Sequence, residues 1–356
     1  MEVHTELKEC LKGGMPEHSR DTVVLSMRVR LARNLQKFPF PNWANDRQRT
    51  SIFEICREVV KGLPCLKSPV VLPMSELNEF ERRLLLERHC VSPELVQGKP
   101  GAGMVVDPDQ SFVCMINEED HLRLQILSLP GLSRQAHRML NTVDEELESS
   151  LSYAFSPEWG YLTACPTNLG LGMRVSAMLH LPGLVLSESM KSVVRALSEM
   201  DTTVRGLFGE QSKAAGNVFQ VSNSYALGSD EKGLLDRFEK IVKSLVEKEQ
   251  KMRARLLEKD QNALFDRIVR SYGTLSNSYT VSCEEALTLL SLVRLGIDLG
   301  FFPKTCRRRV EALWVQVRPA HLQWVSNTLT TENTENVLRA EFLRKKMSGI
   351  PAPIFK

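Results

Sequence analysis

Two hydrophobic periodicities divide the chain, and they constrain its fold more than any other feature of the sequence. Between residues 23 and 223, short segments alternate apolar and polar positions, which is typical of half-buried strands. From about residue 230, apolar residues recur at helical spacing through a stretch rich in Lys and Glu, which is typical of an exposed amphipathic helix. We therefore predict an α+β region followed by an all-helical one.

The strand candidates favour an antiparallel sheet, because several lie too close together in sequence for the helical crossovers that parallel strands need. The clearest runs from Val23 to Leu31, where apolar residues alternate with polar ones that include Arg28 and Arg30. The other strand candidates are residues 112–116, 122–126, 161–164, 173–181 and 217–222.

The helical region is predicted to begin with a long exposed helix that ends near Lys259. A capping box from Ser282 to Glu285 marks the start of an apolar helix. A further helix is expected between Pro303 and Pro319, and a last one over 331–346.

A length of 356 residues suggests about two domains. We predict an α+β domain over residues 1–255, an antiparallel sheet mixed with helices that includes the connecting helix from about 230. Residues 256–356 are predicted to form an all-helical C-terminal domain.

Composition argues against several classes of protein. The 46 basic and 43 acidic residues leave a net charge of +3, whereas a nucleic-acid-coating surface carries a strong basic excess. The basic cluster Lys304–Arg309 is better explained as a solvated helix face. No apolar run approaches the roughly 20 residues of a membrane span, and the N-terminus lacks a secretory pattern. The eight cysteines form no CxxC pair, so we expect reduced thiols in a cytoplasmic protein.

Arginines on strands and adjoining loops are the most informative polar residues. Arg28 and Arg30 are two positions apart and project from one face of a strand. Arg123 follows an acidic turn, Arg174 follows a glycine-containing turn, and Arg205 begins another glycine-containing segment. Five guanidinium groups converging on one cleft would suit a triphosphate, because each can bind phosphate oxygens bidentately.

Taken singly, these signals are weak. A lone arginine is usually solvated or in a weak surface ion pair, and Arg28 and Arg30 could form the wet face of a strand. The turn before Arg174 is not a Walker A motif, because no Gly-Lys-Ser/Thr follows it. It is not a dinucleotide fingerprint either, because Val175 stands where a third glycine is required.

Other polar candidates also have plain structural explanations. Glu118, Glu119 and Asp120 are consecutive, so they point in different directions and a protein-held metal is not expected. Glu210 is otherwise an ordinary loop acid. On composition alone, Cys165 is a small buried residue and His89 a core or surface histidine.

The motifs as a set resemble phosphagen (guanidino) kinases. The segments Ser26–Leu35, Asn117–Arg123, Cys165–Arg174 and Arg205–Glu210 occur in the order found in that family, and Asn-Glu-Glu-Asp-His and Cys-Pro-Thr-Asn-x-Gly-x-Gly-x-Arg are highly specific. Segments 160–168, 173–182 and 318–323 are similar to its bacterial protein-arginine kinase branch. The resemblance covers about residues 20–345.

The resemblance implies an antiparallel sheet flanked by helices, with a helical C-terminal domain in the bacterial branch. It implies ATP and Mg²⁺ as cofactors and phosphorylation of arginine residues in proteins. Small-molecule relatives carry a helical domain ahead of the first strand, which here starts near residue 22. By analogy, this favours protein substrates. The modified proteins would be marked for a Clp-type AAA+ protease, often with a zinc-binding activator protein, and a homodimer is expected through the C-terminal domain.

Residue roles also follow from the resemblance. Glu119 and Glu210 would hold the substrate guanidinium, and Cys165 would lie beside the reacting nitrogen. The nucleotide contacts implied are Ser26, Met27, Arg28, Val29, Arg30, His89, Arg123, Arg174, Val175, Ser176, Ala177, Met178, Arg205, Gly206, Leu207, Phe208, Gly209 and Glu210.

These residue types suit the chemistry. Free arginine has a pKa above about 12, so one nitrogen must lose a proton as it meets the γ-phosphorus. Glu119 is the best candidate for that base, Glu210 would mainly clamp, and a Cys165 thiolate would add negative charge. Mg²⁺ would bridge the phosphates mostly through water.

The chain departs from the family pattern at several positions. Leu171 replaces a common Thr, and Met27 stands where Ser is usual but faces away from Arg28. The bacterial family often carries Arg-Asp-x-x-Arg-Ala, which binds phosphoarginine allosterically. Here Arg339 is kept, but Glu335 and Asn336 replace the first two residues. The reversed charge argues against that pocket.

Two other functions stay open on the sequence alone. A guanidino kinase acting on free arginine would phosphorylate that amino acid in preference to an unfolded protein. A non-catalytic nucleotide-binding adaptor would leave no acid-labile phosphate on any protein, and the presence of all five arginines and both glutamates counts against it.

Overall fold

A computed structural model describes residues 5–12, 21–108, 110–206, 214–228, 230–328 and 332–355. The strands within them are β1 (Val24–Arg33), β2 (Val70–Pro73), β3 (Gly103–Val106), β4 (Phe112–Ile116), β5 (Leu122–Ser128), β6 (Phe155–Ser156), β7 (Gly160–Tyr161), β8 (Met173–His180), β9 (Thr202–Gly206) and β10 (Val218–Asn223). The helices are α1 (Thr5–Lys12), α2 (Asp46–Lys61), α3 (Glu79–Glu87), α4 (Pro93–Val96), α5 (Ser133–Ser150), α6 (Pro182–Leu186), α7 (Met190–Ser198), α8 (Glu231–Lys259), α9 (Gln261–Asn277), α10 (Cys283–Asp298), α11 (Arg307–Gln316), α12 (Pro319–Ser326) and α13 (Glu332–Met347).

One large sheet organises the first two-thirds of the chain. Its eight strands lie in the order β2-β3-β4-β5-β1-β8-β10-β9, and every neighbouring pair is antiparallel. Strands β6 and β7 form a separate small hairpin. The prediction of an antiparallel sheet is confirmed, and β1 lies at its centre.

The two faces of the central strands differ in chemistry. On one face, the side chains of Met27, Val29 and Leu31 in β1 pack in the main core, which α5 and α8 help to cover. The opposite face carries the polar residues of the same strands, as period-two alternation requires.

Helices flank the polar face on both sides. Towards the β2–β4 edge, Val113 and Met115 pack in a cluster with residues of α3 and with Ala320 of α12. Towards the other edge, Val218 packs in a cluster built mainly from α9, α10, α11 and α13. The uncovered centre of the polar face therefore lies between two helical packing clusters.

A buried ionic network joins the sheet region to the C-terminal helices. Arg294 of α10 donates from Nε to Glu311 Oε1 at 2.8 Å and from Nη1 to Asp298 Oδ2 and His180 Nδ1, each at 2.9 Å. Burial first, and then the neighbouring arginines, lower the pKa of His180 well below its ordinary value. His180 is therefore a neutral acceptor, and the network fixes the end of β8 against α10.

The predicted elements agree with the structure in most places. The predicted strand over 161–164 is wrong beyond Tyr161, where two main-chain groups bond to side chains and not to a neighbouring strand. The Leu162 carbonyl accepts from Asn34 Nδ2 at 3.0 Å, and the Ala164 amide donates to Asp120 Oδ1 at 2.7 Å. Strands β2, β3, β6 and β9 were not predicted from the sequence.

Within the chain segments given above, no helix combines the length and apolar character that a bilayer crossing requires. The division at residues 255 and 256 stays a prediction.

Candidate active site

The sheet register places the five arginines on one face. Arg30 lies directly opposite Arg174 across β1 and β8, and opposite Gln125 across β1 and β5. Residues directly opposite each other in an antiparallel pair share a face, and so do residues two apart on one strand. Arg28 and Arg123 therefore lie on this face as well.

Arg205 joins the same face through β10. Arg28 is opposite Ser176, Ser176 is opposite Ser222, and Gln220 is opposite Arg205. The five predicted arginines therefore come from β1, β5, β8 and β9. These four strands are neighbours in the sheet, except that β10 lies between β8 and β9. We call Arg28, Arg30, Arg123, Arg174 and Arg205 the arginine face.

The arginine face is electrostatically unfavourable without an anion. Burial, followed by the positive charges of Arg123 and Arg174, lowers the pKa of Arg28 to about 10. The same causes, with Arg28 added, lower the pKa of Arg30 well below its ordinary range. For Arg174, burial and then Arg205 and Arg123 lower the pKa. These effects link Arg28, Arg30, Arg123 and Arg174 to one another, and they link Arg205 to Arg174.

Two of these guanidinium groups have unused buried donors. The buried Nε atoms of Arg30 and Arg174 have no hydrogen-bond partner among the described residues. An unpaired buried donor costs about 1–3 kcal/mol. Such donors beside several like charges fit a multiply charged anion such as the phosphates of a nucleotide.

Polar residues of the central strands hold the arginines in place. Arg174 Nη2 donates to Ser222 Oγ at 2.9 Å, and Arg28 Nη2 donates to Gln220 Oε1 at 3.2 Å. Gln220 and Ser222 were not among the predicted site residues. Their alternation with buried Phe219 and Val221 in a strand candidate was the available signal.

The acidic turn between β4 and β5 brings two carboxylates to the edge of the arginine face. Arg123 Nη1 is paired with the nearly buried Glu118 carboxylate, whose Oε2 also accepts from the Glu119 amide at 2.9 Å. Glu119 Oε2 lies 3.7 Å from Arg123 Nη2, with 35% of its side chain exposed. Burial raises the pKa of Glu119 although Arg123 opposes the shift. Glu119 is thus the accessible acid of the turn.

Asp120 ties this turn to the segment that carries Cys165. Its Oδ1 accepts from Asn34 Nδ2 at 2.6 Å and from the Ala164 amide at 2.7 Å. Cys165 Sγ lies 3.0 Å from Thr167 Oγ1. Cys165 and Glu119 both act to raise the pKa of Arg174, so the thiol and the acid lie near the same end of the arginine face.

A glycine turn sets the start of β8 and hence Arg174. Gly172 has φ of 62°, and a Cβ there would lie 2.4 Å from Arg33 Nη1 and 2.6 Å from the Ala32 carbonyl oxygen. Only glycine fits this backbone and this close approach. Leu171 packs its side chain against the main core, which accounts for an apolar residue where Thr is common.

His89 follows α3 and approaches the arginine face from the side. Its Nε2 lies 3.3 Å from Arg318 Nη1. Although the side chain is exposed at the surface, the protein packed around it and then the charges of Arg318 and Arg28 lower the pKa of His89 below its ordinary value. The positive charge of Arg28 therefore lies near the His89 ring.

The other nucleotide contacts expected from the resemblance divide between the two faces. Ser176 shares the arginine face, and Ser26 lies opposite Met178. Met178 packs against the C-terminal cluster, and Gly206 ends β9. The side chains of four residues lie in the main core on the opposite face, where they cannot contact a ligand on the arginine face: Met27, Val29, Val175 and Ala177.

Several expected residues lie outside the described part of the chain, namely Leu207, Phe208, Gly209 and Glu210. Glu210 as a second clamp on the guanidinium stays a prediction. Among the described residues, no group of three or more His, Cys, Asp and Glu side chains could hold a metal ion.

The C-terminal arginine is engaged within the chain. Arg339 is fully buried, pairs with Glu335 and donates from Nη1 to Asn336 Oδ1 at 2.7 Å. Its Nε donates to the Val317 carbonyl at 2.7 Å. Glu335 therefore supplies the negative charge beside Arg339.

The basic cluster at residues 304–309 is partly structural. Arg307 Nε donates to Glu311 Oε1 at 3.0 Å, and Arg309 Nη1 donates to the Gly349 carbonyl at 2.6 Å.

Comparison with known proteins gives the same family over both parts of the chain. Residues 51–252 match the ATP:guanido phosphotransferase C-terminal catalytic domain. Residues 261–356 match the protein-arginine kinase McsB C-terminal domain.

Curated relatives match along nearly the whole chain. Protein-arginine kinase of Halothermothrix orenii is 38% identical over 97% of this chain and 98% of its own length. Protein-arginine kinase of Moorella thermoacetica is 39% identical over 92% of this chain and 94% of its own length.

Solved structures share the fold. The duplicated taurocyamine kinase of Schistosoma mansoni, with bound transition-state-analogue components, has a TM-score of 0.59 and 25% identity over 67% of this chain and 35% of that chain. Lombricine kinase has a TM-score of 0.56 and 24% identity over 70% of this chain and 76% of its own. With the arginine face, Glu119 and Cys165 in place, the chain belongs to the ATP:guanido phosphotransferase (phosphagen kinase) family and is an enzyme of its protein-arginine kinase branch.

Proposed function

We propose that this enzyme transfers the γ-phosphoryl group of MgATP to a guanidinium nitrogen of arginine residues in other proteins. The observation that carries the proposal is the arginine face, which gathers five like charges and two unpaired buried donors beside Glu119 and Cys165. Such a cluster is unfavourable in the free protein. It becomes favourable once a polyphosphate is bound.

Arg28, Arg30, Arg123, Arg174 and Arg205 would bind the phosphates of the donor. Phosphoryl transfer needs positioning and charge neutralisation more than covalent catalysis. Fixed arginines supply both, and Gln220 and Ser222 hold two of them in place. Mg²⁺, when bound, would neutralise part of the phosphate charge.

Glu119 and Cys165 would act on the acceptor arginine. As the guanidinium nitrogen forms its bond to the γ-phosphorus, the bond from phosphorus to the β,γ-bridging oxygen breaks and ADP leaves. The proton lost from that nitrogen passes to the Glu119 carboxylate, whose raised pKa suits a base. A Cys165 thiolate would stabilise the cation before transfer, and Glu210 would clamp it.

The wider setting of the reaction rests on the resemblance. The modified proteins would be marked for a Clp-type AAA+ protease in the cytoplasm, with a zinc-binding protein as activator. The enzyme would act as a homodimer through its C-terminal domain.

Incubation with MgATP and casein tests the proposal. Mass spectrometry under conditions that preserve the N–P bond should find phosphate on arginine and not on serine. Free arginine in a parallel reaction should be a poorer acceptor, and Glu119→Gln serves as the inactive control. Preferential phosphorylation of free arginine would replace the proposed substrate class, and absence of any phosphorylated arginine would favour the adaptor function.

A further inference from the structure

The end of α3 and the start of α12 are joined by reciprocal polar contacts across more than 200 residues of sequence. Glu87, the last residue of α3, accepts at Oε1 from the Ala320 amide at 2.8 Å and at Oε2 from the His321 amide at 2.9 Å. These are N-terminal amides of α12, whose N-cap residue Arg318 makes no side-chain capping bond. The catalytic part of the chain therefore caps a helix of the C-terminal part.

Contacts also run in the opposite direction, from α12 to α3. Arg318 Nη1 donates to the Glu87 carbonyl at 2.5 Å and to His89 Nε2 at 3.3 Å. Because arginine can only donate, His89 Nε2 is the acceptor and the ring proton is on Nδ1. A second histidine strengthens the junction, since His321 Nδ1 lies 2.7 Å from Glu87 Oε2 and its Nε2 accepts from Arg88 at 3.2 Å.

Apolar packing and a third helix support the same junction. Ala320 lies in one cluster with Leu84 and Leu85 of α3. From the other side, Arg339 of α13 donates to the carbonyl of Val317, the residue before Arg318. The start of α12 is thus held between the C-terminal helices and α3.

His89, which follows the junction, needs its neighbours to hold its backbone conformation. His89 has φ of 60°, a left-handed backbone that a non-glycine residue adopts at a cost of about 1 kcal/mol or more. Arg28 is near enough for its charge to lower the pKa of His89. Arg318, from the C-terminal part, is the side-chain partner of His89 Nε2.

We propose that Arg318 is a positioning residue for the nucleotide site: with Glu87 it holds His89 beside Arg28, so the C-terminal domain sets the affinity for nucleotide through α12. The inference rests on the proposed function, in that the arginine face must bind the nucleotide. Arg318 would act on the nucleotide site through the segment Glu87–His89.

The test measures MgADP affinity by calorimetry and steady-state kinetics with casein as acceptor. Arg318→Met should raise the Kd for MgADP and the KM for ATP by about tenfold, the effect of losing one charged hydrogen bond, while kcat at saturating ATP changes less than about twofold. Arg318→Lys, which keeps a donor, should recover part of the affinity. Arg309→Met is the matched control, because it removes another arginine–carbonyl bond from the C-terminal helices.

A double-mutant cycle with His89→Ala separates positioning from simple fastening. If Arg318 acts through His89, the double variant binds MgADP as weakly as His89→Ala alone, since coupled residues are not additive. If Arg318 only fastens two helices, Arg318→Met lowers thermal stability and leaves the Kd unchanged, which overturns the proposal. Glu87→Gln, a milder change at the same junction, gives the same comparison if Arg318→Met does not fold.

Loss of the nucleotide site and loss of the positioning role give different binding results. Wild-type protein that does not bind MgADP would refute the nucleotide site itself. Wild-type binding together with an unchanged Kd in Arg318→Met would refute only the positioning role.

Discussion

Replacing Arg28 by Met should stabilise the ligand-free enzyme while it abolishes tight nucleotide binding. Arg28 is half-buried beside Arg123 and Arg174, and it has no carboxylate partner in the described hydrogen bonds and ion pairs. Methionine is also unbranched and can fill most of the same space. The charge at this position therefore serves binding rather than folding.

The magnitude follows from the pKa of Arg28. Burial and repulsion lower it from an ordinary arginine value of about 12.5 to about 10. One pKa unit corresponds to about 1.4 kcal/mol, so holding the charge at neutral pH costs the folded state about 3 kcal/mol. Methionine loses the bond to Gln220 and the long one to Ser176, worth about 2 kcal/mol together because the donor is charged. We expect a net gain of about 1 kcal/mol.

Urea denaturation of the ligand-free protein measures this gain. The matched control is Arg33→Met on the same strand, because Arg33 is buried and paired with Asp144 at 2.6 Å. Removing one partner of a buried pair destabilises by about 3–5 kcal/mol, so the two variants should shift the midpoint in opposite directions. MgADP should raise the midpoint of the wild type and leave that of Arg28→Met unchanged. An Arg28→Met midpoint clearly below that of the wild type would refute the reasoning.

Three further outcomes are expected. Glu119→Gln should lower arginine phosphorylation at least on the order of 10²-fold, with MgADP affinity within about twofold of the wild type. Because the pKa of Glu119 is raised, kcat/KM of the wild-type enzyme should fall on the acid side at a pH above the ordinary glutamate value of about 4.3. An acid limb at or below that pH would contradict the assignment of Glu119 as the base. Asp120→Asn, which keeps an oxygen acceptor for the Ala164 amide, should retain much more kcat than Asp120→Ala, and equal activities in a casein assay would remove Asp120 from its positioning role. Because burial lowers the pKa of His121 to about 4, urea midpoints should fall as pH drops from about 6.5 towards 4, whereas His121→Asn should show a weaker fall over that range.

The sequence could predict the central strands because their chemistry alternates within a single segment. In β1, the alternation of polar and apolar residues places Arg28 and Arg30 on one face and Val29 and Leu31 on the other. Both faces of this strand could therefore be predicted from the sequence. The family motifs indicated that the other arginines belong to the same site. Their shared face depends on strand order and register, which periodicity alone does not specify.

Other features could not be predicted for identifiable physical reasons. The four residues of β3 are all buried, so that strand shows no alternation, and β9 is a short Thr- and Gly-containing segment. Beyond Tyr161 the sequence resembles a strand, but the side chains of Asn34 and Asp120 bond to two of its main-chain groups. The junction of Glu87 with α12 is a helix cap from a distant segment, whereas sequence reading recognises only local caps.

Calorimetric titration of MgADP into the wild type and Arg174→Met tests the central claim most directly. Arg174 lies opposite Arg30 at the middle of the arginine face, and Arg195→Met is the control because Arg195 is 85% exposed on α7. We expect the wild type and Arg195→Met to bind with equal affinity, and Arg174→Met to bind at least about tenfold more weakly. Equal binding by all three proteins would contradict a nucleotide site built on this face of the sheet.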